Sequence, residues 1–525
     1  MTKQNFFNGI MFDISRGQVP KLNTLKVLIK EAAKFDINFI SLYIEHTFQF
    51  KNHPIVWKNS GAFSKKDIED LIKYSKKYNI EIIPSIQAMG HLENVLKHKE
   101  YAHLAETSRY YSIAPVLKES YTFLENIISD ISEIFDSEYI NIGCDEVWDI
   151  GQGKSMQYAK KIGGDKELFL QHIVKIKKIV NKHNKKVMMW GDMLIKYKDH
   201  FKSLPKDIVI LNWYYEDISV ANMKKRITKI GRENLNQIIC PGVSTWRTLF
   251  PLINKAIDNI KNSVIASLEY KKGISGYMVT TWGDNGNFNF LGESIPGFLF
   301  FSHIISNFNV KRLNLKKTNN FLYKDFWGMK NSNVDLYTIF SFFGSLYKLL
   351  PVENYYNIFF YYWNSPFFNE FLDKYEDIKK IKTLYKKSLE YFKKINVLNP
   401  IKNKIFFNEL IYKMSIVINF LKRVLNVYEI KELYDRAYSN LRDETLVKNN
   451  IMDIIDRLKK MSIELKQLRK KYKKLWLYSY RKPGLEFNLA RFIKLEKTYK
   501  NKAAELKKSL KNYTKPGGEL SKIEF

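Results

Sequence analysis

The sequence has little of what marks an exported, disulfide-stabilised or membrane-spanning protein. Its 525 residues include two cysteines, Cys144 and Cys240, which stand far apart and form no CxxC or other metal-ligand spacing. The longest apolar runs, such as GFLFF at 297–301, are far too short to cross a bilayer. The first residues, MTKQNFFNGIMFDIS, lack the basic region, apolar core and small-residue cleavage site of a secretion signal. We therefore expect a cytoplasmic protein with reduced cysteines and no membrane partner.

Acidic residues are also scarce relative to basic ones. The chain has 86 Lys and Arg against 54 Asp and Glu, a net charge of +32. Most of the excess lies after residue 305, where it is spread through Lys-rich helical segments rather than gathered in one patch. This distribution disfavours nucleic acid as a partner, although an anion-binding or nucleic-acid-binding role for residues 306–525 stays open on charge alone.

Eight short apolar, β-rich runs alternate with amphipathic helical patterns through the first 300 residues. The runs lie at 9–15, 39–45, 80–86, 139–143, 186–192, 208–213, 238–243 and 276–282. Helical patterns fall between most of them, for example at 65–78 and 167–183. Repeated strand–helix units of this number and length predict an α/β protein with a (β/α)₈ barrel.

The strand pattern stops after residue 305. Three long amphipathic segments follow at about 374–397, 403–438 and 448–481, and the last residues, KPGGELSKIEF, resemble a loose tail. We therefore predict a catalytic barrel over residues 1–305 and an all-α domain over residues 306–525. Those helices could cover the barrel, form a homodimer interface or shape the outer part of a binding site.

Polar and aromatic residues follow the end of every predicted strand. In strand order they are Arg16; Glu45 and His46; His91; Asp145 and Glu146; Trp190 and Asp192; Trp213, Tyr214 and Tyr215; Trp246; and Trp282 and Asp284. In a (β/α)₈ barrel the active site lies at these carboxyl ends. Aromatic faces stack on sugar C–H surfaces while carboxylates and arginine bind hydroxyls, so the rim is suited to carbohydrate.

Each of these residues also has a purely structural explanation. A single Trp at a strand end is commonly packing, and His91 alone could be a hydrogen-bonded structural histidine. Arg16 could pair with Asp13, and an isolated Asp-Glu pair is common on solvated loops. The combination, with a candidate at every strand end, favours a functional site.

Five motifs in register resemble one known family, the glycoside hydrolase family 20 β-N-acetylhexosaminidases. The central motif is NIGCDEVW at 141–148, which is similar to the Gly-X-Asp-Glu motif of the family's fourth strand. MFDISRG, AMGHLEN, WGDM and TTWGDNG occur in the expected order around it, within residues 9–300.

The resemblance implies an exo-acting enzyme that removes terminal β-linked GlcNAc or GalNAc with retention and needs no metal or organic cofactor. The 2-acetamido oxygen of the substrate would attack the anomeric carbon, a known exception to the carboxylate nucleophile. Glu146 would serve as general acid and then general base, and Asp145 would orient the acetamido group. The anionic neighbour would also disfavour ionisation of Glu146, which helps it begin as an acid.

The resemblance further implies which residues bind the terminal sugar. Arg16 would bind the O3 and O4 hydroxyls, and Asp284 would contact O4 or O6. The implied acetamido pocket comprises Trp190, Trp213 and Trp282, with Tyr214 or Tyr215 bonding the acetamido carbonyl. Glu45 and His91 would position Glu146, while Asp192 and Trp246 complete the expected set. Asp284 stands where many members have Glu, and Cys144 stands where a second glycine is common.

Two other functions fit parts of the same pattern. A barrel enzyme that uses a divalent metal could take ligands from Glu45, His91, Asp145, Glu146 and Asp192. A non-catalytic sugar-binding barrel is the second alternative, although it would be expected to have lost Asp145 or Glu146.

Overall fold

Parallel strands close into a barrel in the computed structural model, which describes residues 6–197, 203–216, 219–270, 272–307, 310–350, 355–364, 378–516 and 518–521. The strands are β1 (Phe7–Asp13), β2 (Phe39–Tyr43), β3 (Glu81–Ser85), β4 (Tyr139–Asn141), β5 (Lys186–Trp190), β6 (Val209–Trp213), β7 (Asn236–Cys240) and β8 (Ile274–Thr281). Each strand pairs with the next, and β8 pairs with β1 from Phe7↔Gly276 to Phe12↔Thr281. The predicted fold is confirmed, and all eight strands lie within a few residues of their predicted ends.

Helices surround this barrel. The longer ones are α1 (Leu22–Ala32), α2 (Lys65–Lys76), α3 (Lys118–Ile134), α4 (Asp165–Lys182), α5 (Val220–Arg232), α6 (Ile253–Tyr270) and α7 (Ile295–Asn307). Shorter helical turns span Pro54–Trp57, Glu93–Leu96, Met156–Ile162 and Asp192–Lys196. Helix α2 shows why a helix begins where it does: Ser64 accepts from the Asp67 N–H while Asp67 accepts from the Ser64 N–H.

Side chains from alternate strand positions fill the barrel interior. This inner cluster consists of Met11, Phe39, Tyr43, Ile83, Met188, Trp190, Val209, Leu211, Ile238, Cys240 and Met278. The barrel is therefore packed along its axis, and the mouth at the carboxyl ends of the strands lies above the last of these layers.

The chain after the barrel is helical in its described parts. The helices are α8 (Leu315–Trp327), α9 (Leu336–Ser345), α10 (Tyr355–Trp363), α11 (Ile378–Asn396), α12 (Lys404–Ser439), α13 (Glu444–Ser479) and α14 (Leu485–Tyr513). Helices α11, α12 and α13 correspond to the three predicted segments, except that residues 374–377 lie outside the described residues. Helix α14 was not predicted, because buried Asn488 and Glu496 interrupt its apolar stripe, and Glu496 is instead paired with Arg469 at 2.6 Å.

Part of the predicted loose tail is packed on this bundle. Leu520 is 5% exposed, and the Ser521 N–H donates to Ser509 Oγ at 2.8 Å. Residue 517 and residues 522–525 of the predicted tail lie outside the described residues. Of the helices that the structure describes, none has the length and apolar character of a bilayer-spanning segment.

The C-terminal helices are joined to the barrel by backbone as well as side-chain contacts. Tyr480 forms an isolated antiparallel bridge with Pro20, and the Lys21 N–H donates to Ser479 O at 2.9 Å. Arg481 pairs with Asp67 at 2.9 Å. One continuous buried core runs from the barrel helices into α12, α13 and α14. A division of the chain at residue 305 therefore stays a prediction from sequence.

Candidate active site

The paired carboxylates lie on a tightly turned segment that continues β4. Ile142 N donates to Met188 O at 2.9 Å, so the chain still runs beside β5 there. Gly143, Cys144 and Glu146 then have positive φ angles of 69°, 64° and 50°. A Cβ on Gly143 would lie 2.1 Å from Gln87 Oε1, so this glycine provides both the conformation and the space for Gln87. The turn directs neighbouring residues Asp145 and Glu146 to the barrel mouth.

Asp145 is buried and held as a carboxylate. Gln87 Nε2 donates to its Oδ1 at 2.9 Å, and His91 Nε2 lies 3.4 Å from its Oδ2. Burial alone would raise its pKa, but the charge of His91 and the bonds from His91 and Gln87 outweigh burial and lower the pKa of Asp145.

His91 contacts both carboxylates through the same ring nitrogen. Its Nε2 lies 3.4 Å from Asp145 and 3.5 Å from Glu146 Oε2, and the Tyr111 hydroxyl is 3.1 Å from that nitrogen. Burial opposes the charged imidazolium, yet the two acids dominate and raise the pKa of His91 to about 10. His91 therefore carries a positive charge at neutral pH.

Glu146 is the more accessible of the two acids, with 37% of its side chain exposed. Its backbone N–H donates to Asp192 Oδ2 at 2.8 Å, which fixes the left-handed backbone at this position. Asp192 begins the short helix after β5, and its Oδ1 is buried with no hydrogen-bond partner among the described residues. Burial, reinforced by Asp145, raises the pKa of Asp192 to about 7.

Arg16 lies at the opposite side of the mouth among acids and aromatic rings. Its guanidinium pairs with Asp13 at 2.8 Å and approaches Glu45 at 3.5 Å, as the structural explanation of Arg16 anticipates. It also lies 4.6 Å from the Tyr43 ring centroid and 5.4 Å from that of Trp282. This surrounding charge and packing hold Arg16 in place while 18% of its side chain stays exposed.

Glu45 and the neighbouring histidine are buried beside Arg16. Glu45 accepts from the Tyr43 hydroxyl at 2.9 Å and from Asn94 at 3.4 Å, and burial raises its pKa against the effect of Arg16. Burial also lowers the pKa of His46 to about 3. The contacts of Glu45 thus run to Arg16 and Tyr43 rather than to Glu146, whose histidine contact is His91. A role for Glu45 in positioning Glu146 stays a prediction.

Aromatic rings from four successive strand ends form a continuous wall. Trp282 lies 5.5 Å from Trp190 between ring centroids, and its Nε1 donates to the Tyr215 hydroxyl at 2.9 Å. Tyr215 stacks on Trp213 at 5.1 Å and contacts Trp246 at 5.0 Å. The structure therefore brings together all the predicted tryptophans of the rim.

Two N–H groups in this wall are buried without a protein acceptor. Trp190 Nε1 and Trp213 Nε1 have no hydrogen-bond partner among the described residues. Buried polar groups of this kind are rare and call for a specific reason, such as a ligand. The two tyrosines differ: the Tyr215 hydroxyl is already paired with Thr280 at 2.8 Å, whereas the Tyr214 ring lies under Arg226 at 4.5 Å.

Asp284 lies beyond β8, on the side of the mouth that carries Arg16. Burial raises the pKa of Asp284, while Arg16 and Arg247 act in the opposite direction. The Gly283 N–H, directly before it, donates to Asp13 Oδ2 at 2.8 Å, so Asp284 lies at the same opening as Arg16. Arg247, an exposed residue with a φ of 54°, adds a second cation there.

Four residues of the site were not predicted from sequence: Gln87, Tyr43, Tyr111 and Arg247. Gln87 lies two positions beyond β3, and Tyr43 is the last inward-facing residue of β2, so the strand-end rule applied residue by residue would have found both. Tyr111 comes from a long connection 20 residues beyond His91, and no sequence signal marks it.

The described residues contain no group of three or more His, Cys, Asp or Glu side chains arranged to hold a metal ion. Four acids of the mouth contact cations, Gln87 or a backbone N–H group: Asp13, Asp145, Glu146 and Asp192.

A closed parallel barrel with adjacent carboxylates and an aromatic wall at the carboxyl ends of its strands has the features of a carbohydrate-active site. The model of the family described as glycosyl hydrolase family 20, catalytic domain, matches residues 7–244. Residues 7–244 are thus similar to the catalytic domain of glycosyl hydrolase family 20.

The similarity extends to proteins named as hexosaminidases. Bovine (Bos taurus) Hexosaminidase D is 23% identical over 296 residues, which is 54% of this chain and 86% of that protein. Human (Homo sapiens) Hexosaminidase D is 26% identical over 200 residues, 37% of this chain and 39% of the human protein. The structure of Flavobacterium johnsoniae chitobiase aligns with 97% of this chain and 72% of the chitobiase chain, with a TM-score of 0.51 and 15% sequence identity. This similarity supports the fold alone.

Proposed function

We propose that the protein is an exo-acting β-N-acetylhexosaminidase that removes terminal β-linked GlcNAc or GalNAc by substrate-assisted, retaining hydrolysis. The observation that carries this proposal is the pair Asp145 and Glu146, which both contact His91 Nε2 at the mouth of an aromatic-walled barrel. Its relatives include proteins named Hexosaminidase D and Beta-hexosaminidase subunit beta.

Glu146 is the proposed general acid and base. It is the more exposed acid of the pair, so it can reach a glycosidic oxygen that enters from solvent. It would protonate the departing oxygen and later take a proton from the water that attacks the intermediate. Asp192 supports this role by holding the Glu146 backbone N–H.

Asp145 is the proposed partner of the 2-acetamido group. Because His91 and Gln87 keep it ionised in a buried position, its carboxylate can accept the acetamido N–H and orient the carbonyl oxygen towards the anomeric carbon. The same negative charge would stabilise the oxazolinium intermediate that this attack creates. The two adjacent acids therefore perform different steps on one sugar.

The remaining rim residues are proposed to bind the terminal sugar. The wall formed by Trp190, Trp213 and Trp282 would enclose the acetamido group, and its two unpaired indole N–H groups offer donors to a ligand. Tyr215 already contributes its hydroxyl to Trp282, so it would act mainly through that ring. Arg16 and Asp284 would bind the hydroxyls at O3, O4 or O6.

The proposed substrate is a small oligosaccharide or glycoconjugate with a non-reducing terminal N-acetylhexosamine. A cytoplasmic location and a homodimer remain predictions from sequence. The alternatives of a metal-dependent enzyme and a non-catalytic sugar-binding barrel make different predictions in the assay below.

The first test is release of p-nitrophenol from the β-N-acetylglucosaminide and the β-N-acetylgalactosaminide, with the β-glucoside as control. Glu146→Gln and Asp145→Asn should each lower kcat by more than 100-fold. The matched control is Glu138→Gln, an exposed residue just before β4 at the other end of the barrel, which should leave kcat unchanged. Activity that a chelator abolishes would favour the metal-dependent alternative, and sugar binding without turnover would favour the non-catalytic one.

A second measurement tests the substrate-assisted step itself. Substrates with mono-, di- and trifluoroacetamido groups have progressively weaker carbonyl nucleophiles, so log kcat should fall steadily along the series. A rate that is insensitive to fluorination would contradict attack by the acetamido oxygen, even if Glu146 proved essential.

A further inference from the structure

The loop that carries Asp284 has an unusual backbone. Directly after Asp284, the residues Asn285, Gly286 and Asn287 have φ angles of 59°, 76° and 48°. Residues other than glycine rarely adopt this left-handed conformation, and three in succession need support from their surroundings. We call residues 282–291 the strand-8 loop.

That support comes from side chains of other segments, which bind five successive carbonyl oxygens of the loop. The pairs, donor first, are Arg491 with Asn285, Asn488 with Gly286, Gln18 with Asn287, Tyr472 with Phe288, and Gln18 with Asn289. Three of these five bonds originate from the C-terminal helices α13 and α14. Two of them come from α14 and hold consecutive carbonyls, so this helix supports the loop directly.

Packing against α14 is equally close. A Cβ on Gly286 would lie 2.3 Å from Phe487 Cε1, so the loop backbone rests on that ring. Arg491 lies 4.8 Å from the same ring and also donates to Asn488 Oδ1 at 2.7 Å. Asn488 and Arg491 therefore form one unit that presents two donors to consecutive carbonyls.

Asp284 lies between this unit and the barrel. Immediately before it, the Gly283 N–H donates to Asp13 Oδ2 at 2.8 Å, and Asp13 also pairs with Arg16. Immediately after it, Arg491 holds the Asn285 carbonyl. The position of the Asp284 carboxylate relative to Arg16 is thus fixed from β1 on one side and from α14 on the other.

We propose that Asn488 and Arg491 are positioning residues that act through Asp284, so that helix α14 sets how the enzyme recognises the O4 and O6 side of the terminal sugar. This inference rests on the proposed function, because it gives Asp284 contact with sugar hydroxyls. It assigns the C-terminal helices a part in specificity, although none of their residues need touch the substrate.

The test compares Asn488→Ala and Arg491→Ala with Lys494→Ala, an exposed residue of the same helix, in the full-length protein. The first two variants should lower kcat/KM on the preferred N-acetylhexosaminide about tenfold, mainly through KM. The ratio of kcat/KM for the gluco substrate to kcat/KM for the galacto substrate should move towards the ratio that the Asp284→Ala variant shows. Arg491→Lys, which keeps one donor, should recover part of the loss.

Double variants separate positioning from general damage. In an Asp284→Ala background, Asn488→Ala and Arg491→Ala should cause no further change in kcat/KM or in the sugar ratio. Equal losses with and without Asp284 would overturn the proposal, as would single variants that keep the wild-type sugar ratio.

Amide hydrogen exchange tests the positioning role by a measurement that does not depend on activity. The strand-8 loop should exchange at least tenfold faster in Asn488→Ala and Arg491→Ala than in Lys494→Ala, while the β4 segment keeps its protection. Unchanged exchange would overturn the positioning role. Faster exchange in a protein that hydrolyses neither N-acetylhexosaminide would instead show that the loop is held as inferred and that the proposed function has failed.

Discussion

Replacement of His91 by asparagine should shift the pH dependence of the enzyme towards higher pH. Asparagine tolerates the left-handed backbone at this position, where φ is 54°, but it carries no charge and does not reach both carboxylates. The variant therefore removes the cation that Asp145 and Glu146 share, while the fold of the loop is retained.

The size of the effect follows from the charge of His91. Its pKa rises from 6.5 to about 10, which corresponds to about 5 kcal/mol shared between two carboxylates. A single opposite charge at this distance lowers an aspartate pKa by about 1–3 units. Because His91 lowers the pKa of Asp145, the Asp145 carboxylate persists to lower pH in the wild type. Without His91 that carboxylate is lost at higher pH, so the acid limb of kcat/KM should rise by about 1–2 pH units.

Stability should change with a definite sign. The contribution of His91 is complete below its unfolded pKa near 6.5 and is lost as the pH rises through about 10. The contribution of Asp145, whose pKa is lowered, is present above its unfolded value and lost as the pH falls. At neutral pH both are present, and the variant should lose about 3 kcal/mol of unfolding free energy in urea titrations.

The assay is kcat/KM for the nitrophenyl N-acetylhexosaminide from pH 3 to pH 9, with circular dichroism at each pH. His46→Asn is the matched control, because burial lowers the pKa of His46 to about 3 and the residue is neutral over all but the acid end of this range. An acid limb that stays in place in a folded His91→Asn protein would refute the view that His91 sets the charge of Asp145.

Two further predictions concern the β4 turn and the interface with α12. Gly143→Ala should lower kcat/KM about 100-fold, because a Cβ would lie 2.1 Å from Gln87 Oε1 and displace the donor to Asp145; a folded variant with wild-type kinetics would contradict this. Burial raises the pKa of Glu409 to about 8, so its stabilisation is complete below pH 4.5 and is lost as the pH rises through 8. Glu409→Gln should therefore flatten the decline of Tm between pH 6 and pH 9, and parallel Tm curves would exclude this assignment.

The barrel could be predicted almost completely from sequence, because each strand is a short apolar run bounded by helical periodicity. The C-terminal part was harder. Helix α14 buries Asn488 and Glu496 on its inner face, and these residues are stabilised by partners that are distant in sequence. Helix prediction from sequence depends on the spacing of apolar residues, so it misses inward-facing positions that are polar and are stabilised by tertiary hydrogen bonds.

For the candidate site, the identities of many residues could be predicted from sequence but their orientations could not. Residues at the strand ends, such as Asp145 and Trp282, could be named because the barrel places every strand end on one face. The orientation of each side chain could not be predicted. It depends on the left-handed backbone at Glu146, on the contact of His91 with both acids, and on Tyr111, which enters from a long connection. Spacing along the chain contains none of this information.

The bridge between Pro20 and Tyr480 has a consequence for how the molecule is made. Thr24 and Ser479, which are hydrogen-bonded beside it, stand 455 positions apart in the chain. During synthesis the segment just after Arg16 emerges long before residues 479 and 480, so its contacts with them form only after those residues have been translated. Contacts between residues so distant in sequence slow folding. The junction between the barrel and the C-terminal helices therefore closes only after all eight strands of the barrel have been synthesised.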